Sequence, residues 1–310
     1  MKALILSGGT GTRLRPLTYT NAKQLLPLAN KPILFHIIEK VVRTGIDDIG
    51  IIVGDTREEV KRAVGNGDRW GVNISYLYQP LPLGLAHAVK TASGFTNDDD
   101  FLMVLGDNVF RMELEGLINN FHANHANASL LLHKVENPSK YGVAAVKDNR
   151  ITRLVEKPKE FISDLIVTGV YIFDKSIFAA IDGIKPSPRG ELEITDAIQK
   201  RLETGGKVTY ELIRGWWKDT GELQDLLEAN RLMLHDMDGG YTLLPEEHSI
   251  LTGKIHTGEN VTIKNCEIMG PVAIADDAAI TNSYIGPYTS IGKAVRINDS
   301  EVENCIILEN

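Results

Sequence analysis

"ALILSGGTGTRLRPLT" occupies residues 3–18, a short apolar run followed at once by a glycine-rich turn and two arginines. An apolar run of this length bounded by glycine predicts a buried strand, and the turn predicts close backbone approach to a neighbour or a ligand. The stretch half-matches two phosphate-binding patterns. It lacks the Gly-Lys-Ser/Thr that closes a P-loop, and it has Leu14 where a dinucleotide fingerprint needs a third glycine. Main-chain N–H groups in such a turn, helped by Arg13 or Arg15, still suit a phosphate.

The same grammar continues along the chain. "IGIIV" (49–53), "ISYLY" (74–78) and "FLMVL" (101–105) predict further buried strands. Between them, residues 32–45, 57–67 and 84–92 carry apolar residues at helical spacing and mostly stop at glycine. Such a βαβ series predicts an α/β fold, Rossmann-like, with a mixed and mainly parallel sheet flanked by helices. Ligands of these sheets sit beyond the carboxyl ends of the strands, which here read "SGGTGTR", "GDT", "QPLPLG" and "GDN".

From about residue 129 the pattern becomes strand-rich ("SLLLHKV", "YGVAAV", "ITRLVEKP", "VTGVYIFD"), and two helices follow, "ELEITDAIQKRLETGG" and "GELQDLLEANRLMLHD". "MDGGY" (237–241) predicts a boundary between a domain of residues 1–238 and a second of 239–310. The second contains a repeat in rows of 17, starting at 261, 278 and 295. Ile263, Ile280 and Ile297 fall in one column, Ile268, Ile285 and Val302 in another, Ile274, Ile291 and Leu308 in a third, with Cys266 above Ser283 and Ser300. Rows that cannot bury their own apolar face do so by stacking, which predicts a parallel β-helix. "IGPYTS" and "IGKAVR" resemble left-handed hexapeptide coils, and the last row is one residue short.

Bulk properties exclude several classes. The chain has 310 residues, 43% of them hydrophobic, and a net charge of -8. That sign argues against nucleic-acid and anionic-membrane partners, which need a cationic surface. Neither a signal peptide nor a membrane span is legible, and two cysteines make no disulfide framework, so a soluble cytoplasmic protein is expected. His122 and His125 lack a third metal ligand, His36 sits in an apolar helix, and "NDDD" (97–100) suits a solvated turn.

Asp107 ends an apolar strand in "VLGDN", and Asp219 lies in "WWKDTG". Either can be a turn-capping residue; together they are candidates for Mg²⁺, which takes one or two carboxylates plus substrate phosphates. Lys23, in "NAKQLLPLANKP", is a second candidate cation for phosphate.

Across residues 1–236 the chain resembles the sugar-1-phosphate nucleotidylyltransferases. "GGTGTRLRPLT", "KQLLP", "QPLPLGLAHA", "LGDN", "YGV", "VEKP", "VTGVYIFD", "RGELEITD" and "WWKDTG" occur in that family's order. "KQLLP" with "QPLPLGLA" is most similar to the branch using dTTP and glucose 1-phosphate, in its long form bearing a β-helix.

The resemblance implies that Leu6, Gly8, Gly9, Gly11, Thr12 and Arg13 line the nucleotide, with Lys23 beside the triphosphate and Gln24, Gln79 and Gly84 reading the base. It implies Asp107 and Asp219 for Mg²⁺, and Asn108, Tyr141, Gly142, Glu156, Lys157, Val167 and Glu193 for the sugar phosphate. Arg13, Lys23, Asp107, Lys157 and Asp219 would form the catalytic set. His87 is a departure, since shorter members commonly carry Gln there. A UTP-using enzyme, an acyltransferase and a non-catalytic nucleotide-sugar binder are the alternatives. The open ends of a short β-helix further suggest a homo-oligomer.

Overall fold

The computed structural model describes residues 1–19, 21–238 and 248–309. The expected boundary at Gly239, Gly240 and Tyr241, and the chain end at Asn310, lie outside the described residues. Two compact units emerge: Met1–Gln24 with Leu34–Trp217, and Leu25–Ile33 with Lys218–Asn310.

The first unit is built on a nine-stranded sheet. Its βαβ half runs β1 (Lys2–Ser7), α1 (Ile33–Arg43), β2 (Asp48–Val53), α2 (Arg57–Val64), β3 (Asn73–Tyr78), α3 (Leu85–Thr91) and β4 (Phe101–Leu105). α4 (Glu115–Ala123) follows, then β5 (Ala128–Lys134), β6 (Gly142–Lys147), β7 (Arg150–Glu156), β8 (Leu165–Phe173), α5 (Ser176–Asp182), α6 (Ile194–Glu203) and β9 (Val208–Leu212). The main strand order is β7-β6-β8-β4-β1-β2-β3, while β5 pairs with both β8 and β9. β1 is parallel to both β2 and β4, and β2 to β3, as the apolar runs require. β8 is antiparallel to β4, β5 and β6, which makes the sheet mixed.

The chain lays β2 and β3 on one side of β1 and then returns to place β4 on the other. β1 and β4 therefore flank the switch point where a crevice opens at the carboxyl ends of the strands. Ile5, Phe101, Met103, Leu130 and Phe173 are fully buried beneath it.

β8 carries a register irregularity between Val167 and Tyr171. Gly169 sits there at φ +83°, and a Cβ at that position would lie 2.6 Å from both Asn108 and Leu105. The bulge turns out the Thr168 carbonyl, which accepts hydrogen bonds from Asn108 Nδ2 and Trp217 Nε1, both at 2.9 Å. Glycine in "VTGVY" is thus a packing requirement, and Trp217, 7% exposed, is a packing residue.

In the second unit, the segment Leu25–Ile33 contains a two-residue turn between Pro27–Leu28 and Lys31–Pro32, with Ala29 and Asn30 at positive φ. α7 (Leu223–Asp236) anchors it through buried Asn230, whose Oδ1 accepts from Ala29 N and Ser290 Oγ, both at 2.8 Å.

The repeat forms three parallel stacks of short strands. Ile263, Ile280 and Ile297 are in register, as are Ile268, Ile285 and Val302. The third column needs a correction: Ile274 and Ile291 align with Ile307, not Leu308. Residues 286–289 bridge one corner with four residues and 303–305 bridge its successor with three, so the missing residue lies inside the row.

An earlier coil, Ile250–Thr252 and Ile255–Thr257, stacks on the first predicted row. The pattern is hidden there because Thr257 stands in the column that Ile274 and Ile291 fill in the next coils. The small column is a corner motif: Ser249 Oγ accepts from Cys266 N, and Ser283 Oγ from Ser300 N, each at 3.2 Å. Ile280 is fully buried at mid-stack. Ile280→Ala is expected to lower the stability of the second unit by ~2–5 kcal/mol, read from its denaturant transition.

Candidate active site

At the switch point, Ser7 ends β1 and the chain turns through Gly8 and Gly9; β4 ends at Leu105 and turns through Gly106 to Asp107. Between them lies a cavity of about 240 Å³ lined by Leu6, Gly8, Gly9, Gln24, Gln79, Gly84 and Asp107. Six of the seven are residues the sequence reading assigned to the nucleotide, and the seventh is a proposed metal ligand. Ile52, Pro82, Leu85, Ala88, Leu105 and Glu191 complete the wall and were not anticipated. Gly84 opens α3 at φ +103°, with the Leu192 carbonyl 2.5 Å from where a Cβ would stand. Gln24 Oε1 is buried without a hydrogen-bond partner, a condition that favours an incoming N–H or O–H donor.

Lys23, 5% exposed, begins a short helical turn, Lys23–Leu25. Its Nζ lies 2.6 Å from Asp107 Oδ2, which fixes the ammonium at the rim of the cavity. Gly11 packs against it, a Cβ there lying 2.9 Å from Lys23 Cβ, and its carbonyl accepts from Thr18 Oγ1 at 2.7 Å. Thr12 and Arg13 occupy the exposed turn that follows.

A second group gathers at the end of β7 and the start of α6. Arg189 holds both oxygens of buried Glu193, at 2.8 and 2.9 Å, and lies 3.5 Å from Glu156 and 3.3 Å from Glu191. Ser187 Oγ also donates to Glu193, and Thr195 Oγ1 to Glu156. Burial, then the neighbouring Glu193 carboxylate, pushes the Glu156 carboxyl above its ordinary range. Gly142 leaves room against Glu156, Thr195 and Val167.

Tyr141 stands edge-on to Trp217 at 5.5 Å, and its carbonyl accepts from Lys157 N at 3.0 Å; the Lys157 side chain is exposed. Asn108 is buried with its amide committed to Thr168. Glu191 joins the two groups, lining the cavity while pairing with Arg189. Arg189 lies inside the quoted "RGELEITD", but an exposed arginine between glycine and proline carries no periodic signal.

Asp219 ends the strand Trp217–Asp219 and belongs to the second unit. Among the described residues no group of three or more His, Cys, Asp or Glu could hold a metal by itself. The donor set suits an ion completed by substrate oxygens, since Asp107 supplies one hard carboxylate at the rim. His122 packs edge-on against Phe121, and residues 97–98 form a tight turn at positive φ.

The model of the nucleotidyl transferase family matches residues 2–236. The chain belongs to that family. As a nucleotidyltransferase it is 46% identical, over 99% of its length and 87% of the relative's, to a glucose-1-phosphate thymidylyltransferase of Streptomyces griseus. A protein of the same description from Streptomyces antibioticus is 47% identical over the same shares. Among solved structures, a Bacillus anthracis protein described as a glucose-1-phosphate thymidylyltransferase, in complex with sucrose, superimposes with a TM-score of 0.72 at 38% identity. That match covers 78% of this chain and 98% of the other. Nucleotidyltransferases of this family generally use a divalent metal. Among the described residues, no helix is long and apolar enough to cross a membrane.

Proposed function

We propose that the protein transfers a thymidylyl group from dTTP to glucose 1-phosphate, giving dTDP-glucose and pyrophosphate. The observation that carries this reading is the cavity at the β1/β4 switch point, where the glycine turn, both glutamines and Asp107 meet. UTP is the alternative donor, because a glutamine pair can read uracil as well as thymine.

A sugar phosphate oxygen forms a bond to the α-phosphorus while the bond from that phosphorus to the bridging oxygen of the leaving pyrophosphate breaks. The attacking oxygen is already anionic near neutral pH, so no general base is needed. The barrier is the approach of two anions, and positioned cations lower it. Gly8, Gly9, Gly11 and Thr12 offer main-chain N–H groups to the triphosphate, Arg13 and Lys23 supply charge, and Lys157 neutralises the sugar phosphate. Asp107 and Asp219 would hold Mg²⁺, which when bound would offset charge on the triphosphate and the departing pyrophosphate.

Glu156 and Glu193 would accept hydrogen bonds from sugar hydroxyls, with Tyr141, Gly142, Val167 and Asn108 shaping the pocket. An ionised Glu156 accepts best, and its carboxyl protonates at higher pH than an ordinary Glu. The KM for glucose 1-phosphate is therefore expected to rise as pH falls from 7 towards 5. In Glu156→Gln that rise should be smaller, and an identical pH profile would remove Glu156 from sugar binding.

The stacked coils of the second unit would form the left-handed β-helix of a long-form enzyme and support a homo-oligomer, in a soluble cytoplasmic protein. A pyrophosphate-release assay crossing dTTP and UTP against several sugar 1-phosphates tests the function. The highest kcat/KM is expected for dTTP with glucose 1-phosphate; release with none of these pairs would refute the assignment.

A further inference from the structure

Resting on the reading of Gln79 as a base-contacting residue, we propose that His87 is a positioning residue that, with the Gly84 carbonyl, holds one end of the Gln79 amide towards the base. It thereby selects keto pyrimidines, thymine or uracil, against cytosine. Gln79 is 9% exposed and leaves β3 into the cavity wall. Its Nε2 lies 2.9 Å from His87 Nδ1 and 3.5 Å from the Gly84 carbonyl.

A carbonyl only accepts, so the nitrogen end of the amide is the one turned towards Gly84 and His87. The same NH₂ then donates to Nδ1, which must be the bare nitrogen of a neutral imidazole protonated on Nε2. The other end, Oε1, is left beside Gly8, 3.4 Å from where a Cβ on that residue would stand. Gly8 lines the same cavity. The site therefore presents an acceptor to the base.

Thymine and uracil carry an N–H at ring position 3, which pairs with such an acceptor. Cytosine carries a bare nitrogen there, which sets one lone pair against another. His87 is held for this task on α3, one turn from the glycine that opens it, and Thr91 Oγ1 donates to its carbonyl at 3.0 Å. Without an acceptor at position 87, only the long 3.5 Å contact to the Gly84 carbonyl holds the NH₂ end, so the Gln79 amide turns over more readily, and its NH₂ then suits cytosine. Glutamine at 87 can still accept through its own carbonyl.

The test is kcat/KM for dTTP and dCTP, each with glucose 1-phosphate, in the wild type, His87→Leu and His87→Gln. In His87→Leu the dTTP-to-dCTP ratio is expected to fall about tenfold, the size of one lost buried hydrogen bond. The change should lie in KM, with kcat for dTTP within about twofold of wild type. His87→Gln should keep most of the ratio.

An unchanged ratio in His87→Leu, or equal ratios in the two variants, overturns the role of His87 while leaving the proposed function standing. No turnover of dTTP by the wild type overturns the proposed function, and this inference with it. Thermal melts of both variants identify a folding defect, and His87→Gln then decides the question: loss of the ratio in a folded His87→Gln overturns the proposal.

Discussion

Replacing Lys23 by alanine is expected to lower kcat by about 10²–10³ and leave the fold intact, because one preorganised cation is removed from a site whose chemistry is charge compensation. The structure separates the two roles of this side chain. Its Cβ packs against Gly11 and survives in alanine, so the glycine turn keeps its support. Its ammonium, 2.6 Å from Asp107, is the part that is lost. Lys23→Arg should recover only part of the rate, since a planar guanidinium does not fit a point contact made by a nearly buried ammonium. Pyrophosphate release at saturating substrates, alongside a thermal melt, measures both outcomes. A near-normal kcat would take Lys23 out of the mechanism.

Asp107→Asn should cost more, about 10³ in kcat, because it removes the carboxylate proposed to hold the divalent ion and also strips Lys23 of its anionic partner. The side chain keeps its shape, so the loss is one of charge. Stability should fall by ~1–3 kcal/mol, the range for disturbing a charged hydrogen bond at a site only partly open to solvent. Lys23→Ala combined with Asp107→Asn should lose much less than the product of the single losses, as groups acting together do. Fully multiplicative losses would mean that the 2.6 Å contact has no part in catalysis.

The first half of the molecule was legible because β1, β2 and β4 are buried and read as uninterrupted apolar runs. β3, also expected to be buried, is instead the half-exposed edge strand, paired with β2 alone, so its apolar residues are only partly covered. "FLMVL" and "ALILS" could hardly be anything else, and the positions just beyond them follow from topology. Most of the cavity composition was accessible for the same reason: Gly8, Gln79, Gly84 and Asp107 stand at the ends of such runs or in the turns beyond them, whereas Gln24, in the turn Lys23–Leu25, was reached only through the family resemblance. β9 was missed because "VTYEL" is only partly buried and sits between a helix and a charged loop.

The 17-residue repeat was legible from its isoleucine columns, and its register holds through residue 302. Beyond that, a one-residue deletion inside a corner is invisible to column counting, since Ile306, Ile307 and Leu308 all look apolar enough to fill the position. Arg189 bonds chiefly to Glu193, four residues on, and the Gln79 amide to Gly84 and His87, five and eight residues on; these contacts are local, but they are made in irregular turns whose geometry no periodic pattern records. The grouping of Leu25–Ile33 with α7 and the coils is by contrast a tertiary fact: Asn230 bonding to Ala29 and Ser290 joins three distant segments.

Direct attack of one anionic substrate on another, with no covalent enzyme intermediate, is the claim on which the mechanism stands. The stereochemistry at the α-phosphorus tests it most directly, using a single diastereomer of dTTP with sulfur in place of one non-bridging α-oxygen. A single in-line displacement predicts inverted configuration in the thio-dTDP-glucose formed. Retention would mean two successive displacements through an enzyme-bound nucleotidyl group, and would contradict the account.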